Sequence, residues 1–336
     1  MNLRNFIFKW WSTWAISIAV VGLPPASAEE LPGTNNSRLG TDANAVSIIA
    51  KEGNEIILDR YRPRGAEDFD SRRDSSGLMG GKIVSIGDDI ASYIVGLNIV
   101  SFGRPTELCT GVLIKQDIVV TAAHCIGSKE DKITVYFSVV MNGLRNIPRK
   151  SRRNVSKIVI SPGYTGHRMS GYEISGDPND IAILKLDGPA PKSAHVMLMP
   201  DRDFEHAFSN NTFLAAGFGA QDYNKHKNVY KGLDYLLRSA VVSVTPREYE
   251  VIGVIRVDSR NGPGPCRGDS GGPLFVRSGA QYMLFGIAGS YRKVLVDLYS
   301  DSESTSELTT CHGYNYYADV YLKRAWIAQQ LNALDD

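Results

Sequence analysis

From Ile83 onward the chain never runs far without a break: short β-type stretches recur roughly every 10 to 15 residues, each ended by Gly, Pro, Asn or Asp. They cover residues 92–100, 111–120, 133–140, 155–160, 181–186, 212–217, 235–244, 253–257, 273–275, 283–288 and 316–322. Runs this short, rich in Val, Ile and aromatic residues, suit strands and are too brief for ordinary helices. Many of them separated by turn residues predict a sandwich or barrel. The last segment, 322–331, breaks the pattern, with Ala325, Ile327, Ala328 and Leu331 set among Lys323, Arg324, Gln329 and Gln330. That spacing is helical and amphipathic. The expectation is an all-β body closed by one C-terminal α-helix, with no internal repeat.

The first 28 residues have a different texture. Arg4 and Lys9 precede an apolar stretch from about Trp10 to Leu23, followed by Pro24, Pro25 and the small-residue site Ala26-Ser27-Ala28. This is a signal-peptide pattern, with cleavage expected after Ala28. As a membrane span the run is shorter than the roughly 18 to 20 residues required, and Ser12, Thr13 and Ser17 interrupt it. A secreted, periplasmic or extracellular protein is expected, with no membrane attachment once the signal is removed. Residues 29–82 are polar and charged, dense around Arg60-Tyr61-Arg62-Pro63-Arg64 and again at Asp68, Asp70, Arg72, Arg73 and Asp74. They read as a flexible pro-segment, the alternative being a small subdomain around Ile56 to Leu58. Residues 83–336 are left as the working domain.

Charge adds an exclusion. Lys plus Arg (37) nearly cancels Asp plus Glu (36), so no strong overall field recruits nucleic acid or an anionic membrane. Four cysteines, Cys109, Cys125, Cys266 and Cys311, fit an oxidising compartment. None lies in a CxxC pair, so no zinc or other metal site is expected, and sequence alone allows three disulfide pairings.

Three local signatures carry chemistry. Gly268-Asp269-Ser270-Gly271-Gly272-Pro273 surrounds one Ser with glycines; such a turn can present the hydroxyl and aim successive backbone N–H groups at one point. The plainer reading is a glycine-rich turn with a capping Ser. In Val120-Thr121-Ala122-Ala123-His124-Cys125 an apolar strand runs into small residues and a His. An imidazole with an ordinary pKa of about 6.5 can take and return a proton at neutral pH, although a lone His after a strand is commonly structural. In Asn179-Asp180-Ile181-Ala182-Ile183-Leu184 an acid heads an apolar strand. Such an Asp can be buried against an imidazole N–H, or simply close a turn.

In the order His, Asp, Ser these motifs resemble the chymotrypsin/trypsin-like serine peptidases, the family from which the general triad template is drawn. Gly217-Phe218-Gly219 stands where the family has a Gly-aromatic-Gly strand, and Val320-Tyr321 with Trp326 resembles its terminal strand and helix. The resemblance implies two six-stranded antiparallel β-barrels with a site between them. It also implies a triad of His124, Asp180 and Ser270, an oxyanion hole from the N–H groups of Gly268 and Ser270, and no cofactor. Cys109–Cys125 and Cys266–Cys311 become the expected disulfides. Protein or peptide substrates, an activating protease and a monomeric state are the expected partnerships. Activation is expected after Lys82, the new Ile83 ammonium pairing with Asp269, although Ser85 and Ile86 replace the usual Gly-Gly.

Specificity departs from the family pattern. Gly264 lies six residues before Ser270, where Lys/Arg-cleaving members carry Asp. Asp319 is expected to supply an acid from the facing wall of the substrate pocket and so a preference for Arg or Lys; otherwise it caps a turn and the pocket is apolar. Gly289-Ser290-Tyr291 replaces the family's Ser-Trp-Gly beside the pocket, placing Gly289 and Tyr291 there and removing a hydroxyl that usually bonds the triad Asp. An acidic insertion, roughly 292–310, follows. The rival readings are a catalytically inactive homologue acting as a binding module, and an esterase, whose Ser would sit in a Gly-x-Ser-x-Gly elbow between strand and helix with the triad order Ser, acid, His; the order here is wrong for it.

Overall fold

The computed structural model describes residues 78–101, 104–166, 176–208, 211–224, 229–245, 252–292 and 311–335. The expected signal peptide, residues 29–77 of the expected pro-segment and nearly all of the 292–310 insertion lie outside the described residues. Everything below belongs to one compact unit, Pro63–Asp336.

The first half is a closed barrel of six antiparallel strands: β2 (Ile94–Ser101), β3 (Arg104–Lys115), β4 (Ile118–Thr121), β5 (Lys132–Tyr136), β6 (Arg152–Ile160) and β7 (Ala182–Leu186). The ring order is β2-β3-β4-β7-β6-β5, closed by β5 on β2. β4 and β7 do not alternate buried with exposed: Ile118, Val119, Val120, Ile183 and Leu184 are all 0% exposed. Both faces of these strands are covered, and that is why their sequences are continuous apolar runs. The core they enter also takes in Phe275 and Leu284 from the second half and Ile327 and Leu334 from the C-terminal helix.

In the second half β1 (Lys82–Ile83), β8 (Leu214–Gly217), β11 (Arg238–Val241), β12 (Val244–Thr245), β13 (Val254–Asp258), β14 (Pro273–Ser278), β15 (Gln281–Arg292) and β16 (Tyr314–Asp319) form one sheet. Its order is β1-β11-β8-β14-β15-β16-β13-β12. Only Val242 and Ser243 separate β11 near one edge from β12 at the other. The sheet therefore curls until the chain itself joins its ends, with Val242 N–H donating to Phe213 O (3.0 Å) and Asp258 N–H to Ser243 O (2.8 Å). The other seven strands make the curled body, while β1 is appended to its edge. A small hairpin, β9 (Asp222–Asn224) with β10 (Val229–Lys231), and a short helix, α1 (Phe204–Phe208), complete this half.

Two expectations change. The terminal strand was expected over 316–322, but it stops at Asp319 and the helix α2 (Val320–Asp335) begins at once. Asp319 Oδ1 accepts N–H bonds from Tyr321 (2.8 Å) and Leu322 (3.2 Å), the geometry of a helix N-cap, which ends extended structure in favour of helix. An ion pair from Lys115 to Asp335 pins the far end of α2 to the first barrel. The tail of the expected flexible pro-segment is packed as well. Leu78 is 1% exposed in the second core, and Met79 O accepts from Gly264 N–H at 3.1 Å. Two large apolar residues in succession give this tail surface to bury that the preceding polar stretch lacks.

Both expected disulfides, Cys109–Cys125 and Cys266–Cys311, are formed. The first ties β3 to the turn after β4, and the second closes a 45-residue loop of the curled sheet. Among the described residues no helix is long and apolar enough to cross a membrane.

Candidate active site

After β4 the chain makes one tight turn, Ala123–Cys125, which carries His124 and is anchored by the Cys109–Cys125 bridge. Asp180 arrives by another route. Asp177 turns the chain by accepting N–H bonds from Asn179 on its side chain (2.8 Å) and from Asp180 on its carbonyl (3.1 Å), which sets Asp180 at the head of β7. Asp180 is fully buried, and both of its oxygens are bonded by a single residue: Oδ2 lies 2.7 Å from His124 Nδ1, and Oδ1 accepts the His124 backbone N–H at 2.8 Å. A buried carboxylate can only accept, so Nδ1 carries the proton and Nε2 is the basic nitrogen of the neutral ring. Burial and then the nearby carboxylates of Asp180 and Asp177 push the Tyr164 phenol up, keeping it protonated beside this pair.

The Ser270 turn is brought to the same place by glycines. Gly268 and Gly271 have φ of +101° and +79°, a region other residues rarely occupy. A Cβ on Gly271 would fall 2.0 Å from Thr121 Oγ1, 2.3 Å from Thr110 O and 2.9 Å from Ala122 N. The turn thus lies backbone to backbone against the strand end that leads into His124. On its other side Gly271 N–H donates to Ala288 O (2.8 Å), and the next residue, Gly289, would carry a Cβ only 3.0 Å from Asp180 Oδ2. β15 shifts register between Ala288 and Tyr291, a local irregularity of the kind that re-aims a strand at a site. Position 289 offers Asp180 no hydroxyl, as expected, and the bonds to its two oxygens come from His124.

Asp269 is also buried, at 1% exposure, and its carboxylate is wedged between Gly217 and Gly219. It accepts N–H bonds from Gly219 on Oδ1 and Cys266 on Oδ2, each 2.8 Å. Burial raises its pKa to about 7 against the opposing pull of those N–H groups and of Arg238. Arg238 is itself buried and engaged with Asp234, its Nη1 lying 2.6 Å from Oδ1. Ile83 is elsewhere: it is 55% exposed in β1, paired with Arg238.

The specificity residues need a correction. Asp319 is committed to the N-cap of α2 and pairs along the sheet with Gly286. The residue opposite Tyr291 is instead Asn315, four positions earlier on β16, or about 13 Å at strand rise. Asn315 is buried and donates from Nδ2 to Ser259 Oγ at 3.2 Å. Ser259 in turn occupies the space beside Gly264, where an added Cβ would come within 1.7 Å of its Oγ. An acid at Asp319 was expected because Val320-Tyr321 was aligned as the end of the strand. The signal that places it correctly is an Asp heading an amphipathic run, which reads as an N-cap. Asn315 and Ser259 carried no such local signal.

A family model described as Trypsin matches residues 80–294. Curated relatives include complement C2 of Bos taurus, 25% identical over 69% of this chain and 34% of its own length. Kallikrein 1-related peptidase b27 of Mus musculus is 28% identical over 50% of this chain and 65% of its own length, and granzyme M of Rattus norvegicus 26% over 64% and 85%. The chain thus spans about a third of complement C2 and just under two thirds of the kallikrein-related peptidase. Among solved structures the human heparin binding protein has a similar fold, with TM-score 0.52 and 24% identity, covering 76% of this chain and 96% of that one.

Two outcomes are expected. Asp319→Ala should lower the melting temperature by about 2 to 4 °C, the loss of one N-cap in a domain of this size; an unchanged melting temperature would contradict the cap. The second concerns Asp269, whose folded pKa lies above the 3.8 of an ordinary Asp. Between those values the folded uncut chain holds a proton that the unfolded chain has released, so stability falls as pH rises from about 4 through 7. Thermal melts of the uncut chain should show this slope, and Asp269→Asn should flatten it; equal slopes would contradict the assignment.

Proposed function

The chain belongs to the trypsin family, and on that premise we propose that it is a secreted serine endopeptidase made as a precursor, with Ser270 as nucleophile, His124 as general base and Asp180 holding the base in place. The observation that carries this reading is the buried Asp180–His124 pair, 2.7 Å from Oδ2 to Nδ1, with the Ser270 turn packed on the strand end leading into it. His124 Nε2 removes the Ser270 proton as Oγ attacks a peptide carbonyl. The N–H groups of Gly268 and Ser270 receive the oxyanion, the imidazolium protonates the leaving amine, and water then releases the acyl group.

Cleavage after Lys82 is the proposed trigger. Lys82 and Ile83 are exposed in a two-residue edge strand that a protease can reach. All the cysteines of this sequence lie beyond residue 82, so no disulfide ties the docked Leu78-Met79 tail to the domain. Burial of two such side chains is worth a few kcal/mol, less than the cost of holding a separate molecule, so the tail should leave once cut. The new ammonium then has a destination in Asp269, whose buried carboxylate accepts two backbone N–H bonds while Arg238, a cation that acts on it, is engaged with Asp234.

For substrate choice, Ser259 beside Gly264 and Asn315 next to it are neutral, and one hydrogen bond, from Asn315 Nδ2 to Ser259 Oγ, joins them. This favours the apolar or neutral alternative for the residue on the acyl side of the scissile bond over Arg or Lys.

A serine-directed phosphonate should label the chain after cleavage at Lys82 and label neither the Ser270→Ala variant nor, at comparable rate, the uncut chain. Asp180→Asn should lose roughly three to four orders of magnitude in kcat, because the tautomer of His124 is no longer fixed. Absence of label in the cut protein would favour an inactive, binding homologue. In a peptide-library digest, neutral residues should dominate on the acyl side of the cut, and dominance of Arg or Lys would overturn the pocket reading.

A further inference from the structure

Thr110 belongs to β3 in the first barrel, yet it makes most of its polar contacts with the second half of the molecule. It is 0% exposed. Its backbone N–H donates to Ser270 O at 2.8 Å. Its hydroxyl lies 3.1 Å from Gly268 O and 3.3 Å from Phe218 N. Its carbonyl accepts the Thr121 hydroxyl at 2.8 Å, which fixes the residue within its own barrel. The hydroxyl proton has a defined direction: the Phe218 N–H can only donate and the Gly268 carbonyl can only accept, so Oγ1–H points at Gly268 O.

Gly268 is the residue whose N–H is proposed to receive the oxyanion, and as a glycine with φ of +101° it has little intrinsic preference to hold that aim. Two peptide planes flank it. In the preceding plane, Arg267 O accepts the Ala220 N–H at 2.8 Å; because the peptide is trans, the Gly268 N–H points the opposite way. In the following plane, the carbonyl of Gly268 is held by the Thr110 hydroxyl. The same hydroxyl, through Phe218 N, also ties the Gly217–Gly219 segment that grips Asp269. One side chain from the first barrel therefore links the oxyanion turn to the segment around the activation carboxylate.

We propose that the Thr110 hydroxyl is a positioning residue for the oxyanion turn, holding the Gly268–Asp269 peptide so that the Gly268 N–H stays aimed at the developing negative charge. This inference rests on the peptidase reading above, with Ser270 as nucleophile. The oxyanion exists only on the way through the tetrahedral species, so loss of the hydroxyl lowers kcat and spares ground-state binding.

The test is steady-state cleavage of a peptide substrate by the chain cut after Lys82, comparing wild type with Thr110→Val, Thr110→Ala and Thr110→Ser. Thr110→Val keeps the shape and removes the hydroxyl; kcat should fall roughly tenfold with KM within about twofold, as expected when two buried polar groups lose their shared partner. Thr110→Ser keeps the hydroxyl and should stay within about threefold of wild type. Affinity for a peptidyl boronic acid, whose adduct carries the tetrahedral oxygen, should fall by the same factor as kcat in Thr110→Val. Affinity for an uncleavable peptide of the same sequence should not change. Thr110→Ala provides the same comparison if the Val variant does not fold. Equal losses in Val and Ser, or a change in KM alone, would make Thr110 a packing residue and overturn the inference. A wild-type chain that neither cleaves peptide nor takes the phosphonate label would instead overturn the peptidase reading, and the inference with it.

Discussion

Direct backbone contact between the two halves of the molecule is the constraint from which the site follows. The Gly268–Gly272 turn touches β3 and the end of β4 so closely that Gly271 has no room for a Cβ against Thr121 Oγ1 and Thr110 O, and Gly272 has none against Ala216 O. A side chain at Gly271 would force the turn away from the segment leading to His124, and one at Gly272 would force it away from β8. The glycines around Ser270 thus serve two purposes: positive φ for the turn, and absence of bulk at the seam. Backbone bonds from Thr110 to Ser270 and from Gly271 to Ala288 use the polar groups that such contact would otherwise strand.

Two buried carboxylates sit on either side of this seam and are treated in opposite ways. Asp180 receives both its bonds from His124, so the acid and the base form one rigid unit delivered by two strand ends. Asp269 receives backbone N–H groups from Gly219 and Cys266, and burial holds its pKa well above the usual carboxylate range in the uncut chain. The first arrangement fixes the orientation of the imidazole through both the ring and the backbone of His124. In the second, burial works against ionisation while the two N–H groups and Arg238 work for it, so an added positive charge beside the carboxylate would favour its ionised form.

The candidate site residues could be singled out because they sit in short motifs of distinctive local residue type: a Ser among glycines, a His after an apolar strand, an Asp heading another; of these the structure joins His124 directly to Asp180. Strand positions were legible for a related reason, as runs such as 118–121 and 181–186 are apolar through and through and flanked by turn residues. Failures came where a residue's role depends on which element it joins. Asp319 lies at the boundary of strand and helix, and two N–H groups of the helix claim its side chain. Leu78 and Met79 were grouped with a polar segment by average composition, yet their own bulk docks them on the second core and beside Gly264.

By itself the sequence determined the all-β class, the C-terminal helix, and the cysteine partners once the family was recognised. These are local facts, set by side-chain chemistry, hydrophobic period and turn residues. Tertiary structure alone decided that the second sheet closes through the chain rather than through a ladder. It also decided that Asn315 rather than Asp319 faces Tyr291 along the sheet, and that the hydroxyl of Thr110 reaches across to Gly268. Each of those depends on register and on contacts between residues more than 20 positions apart, or on which of two elements a boundary residue joins, and nothing in a neighbouring stretch of chain encodes them.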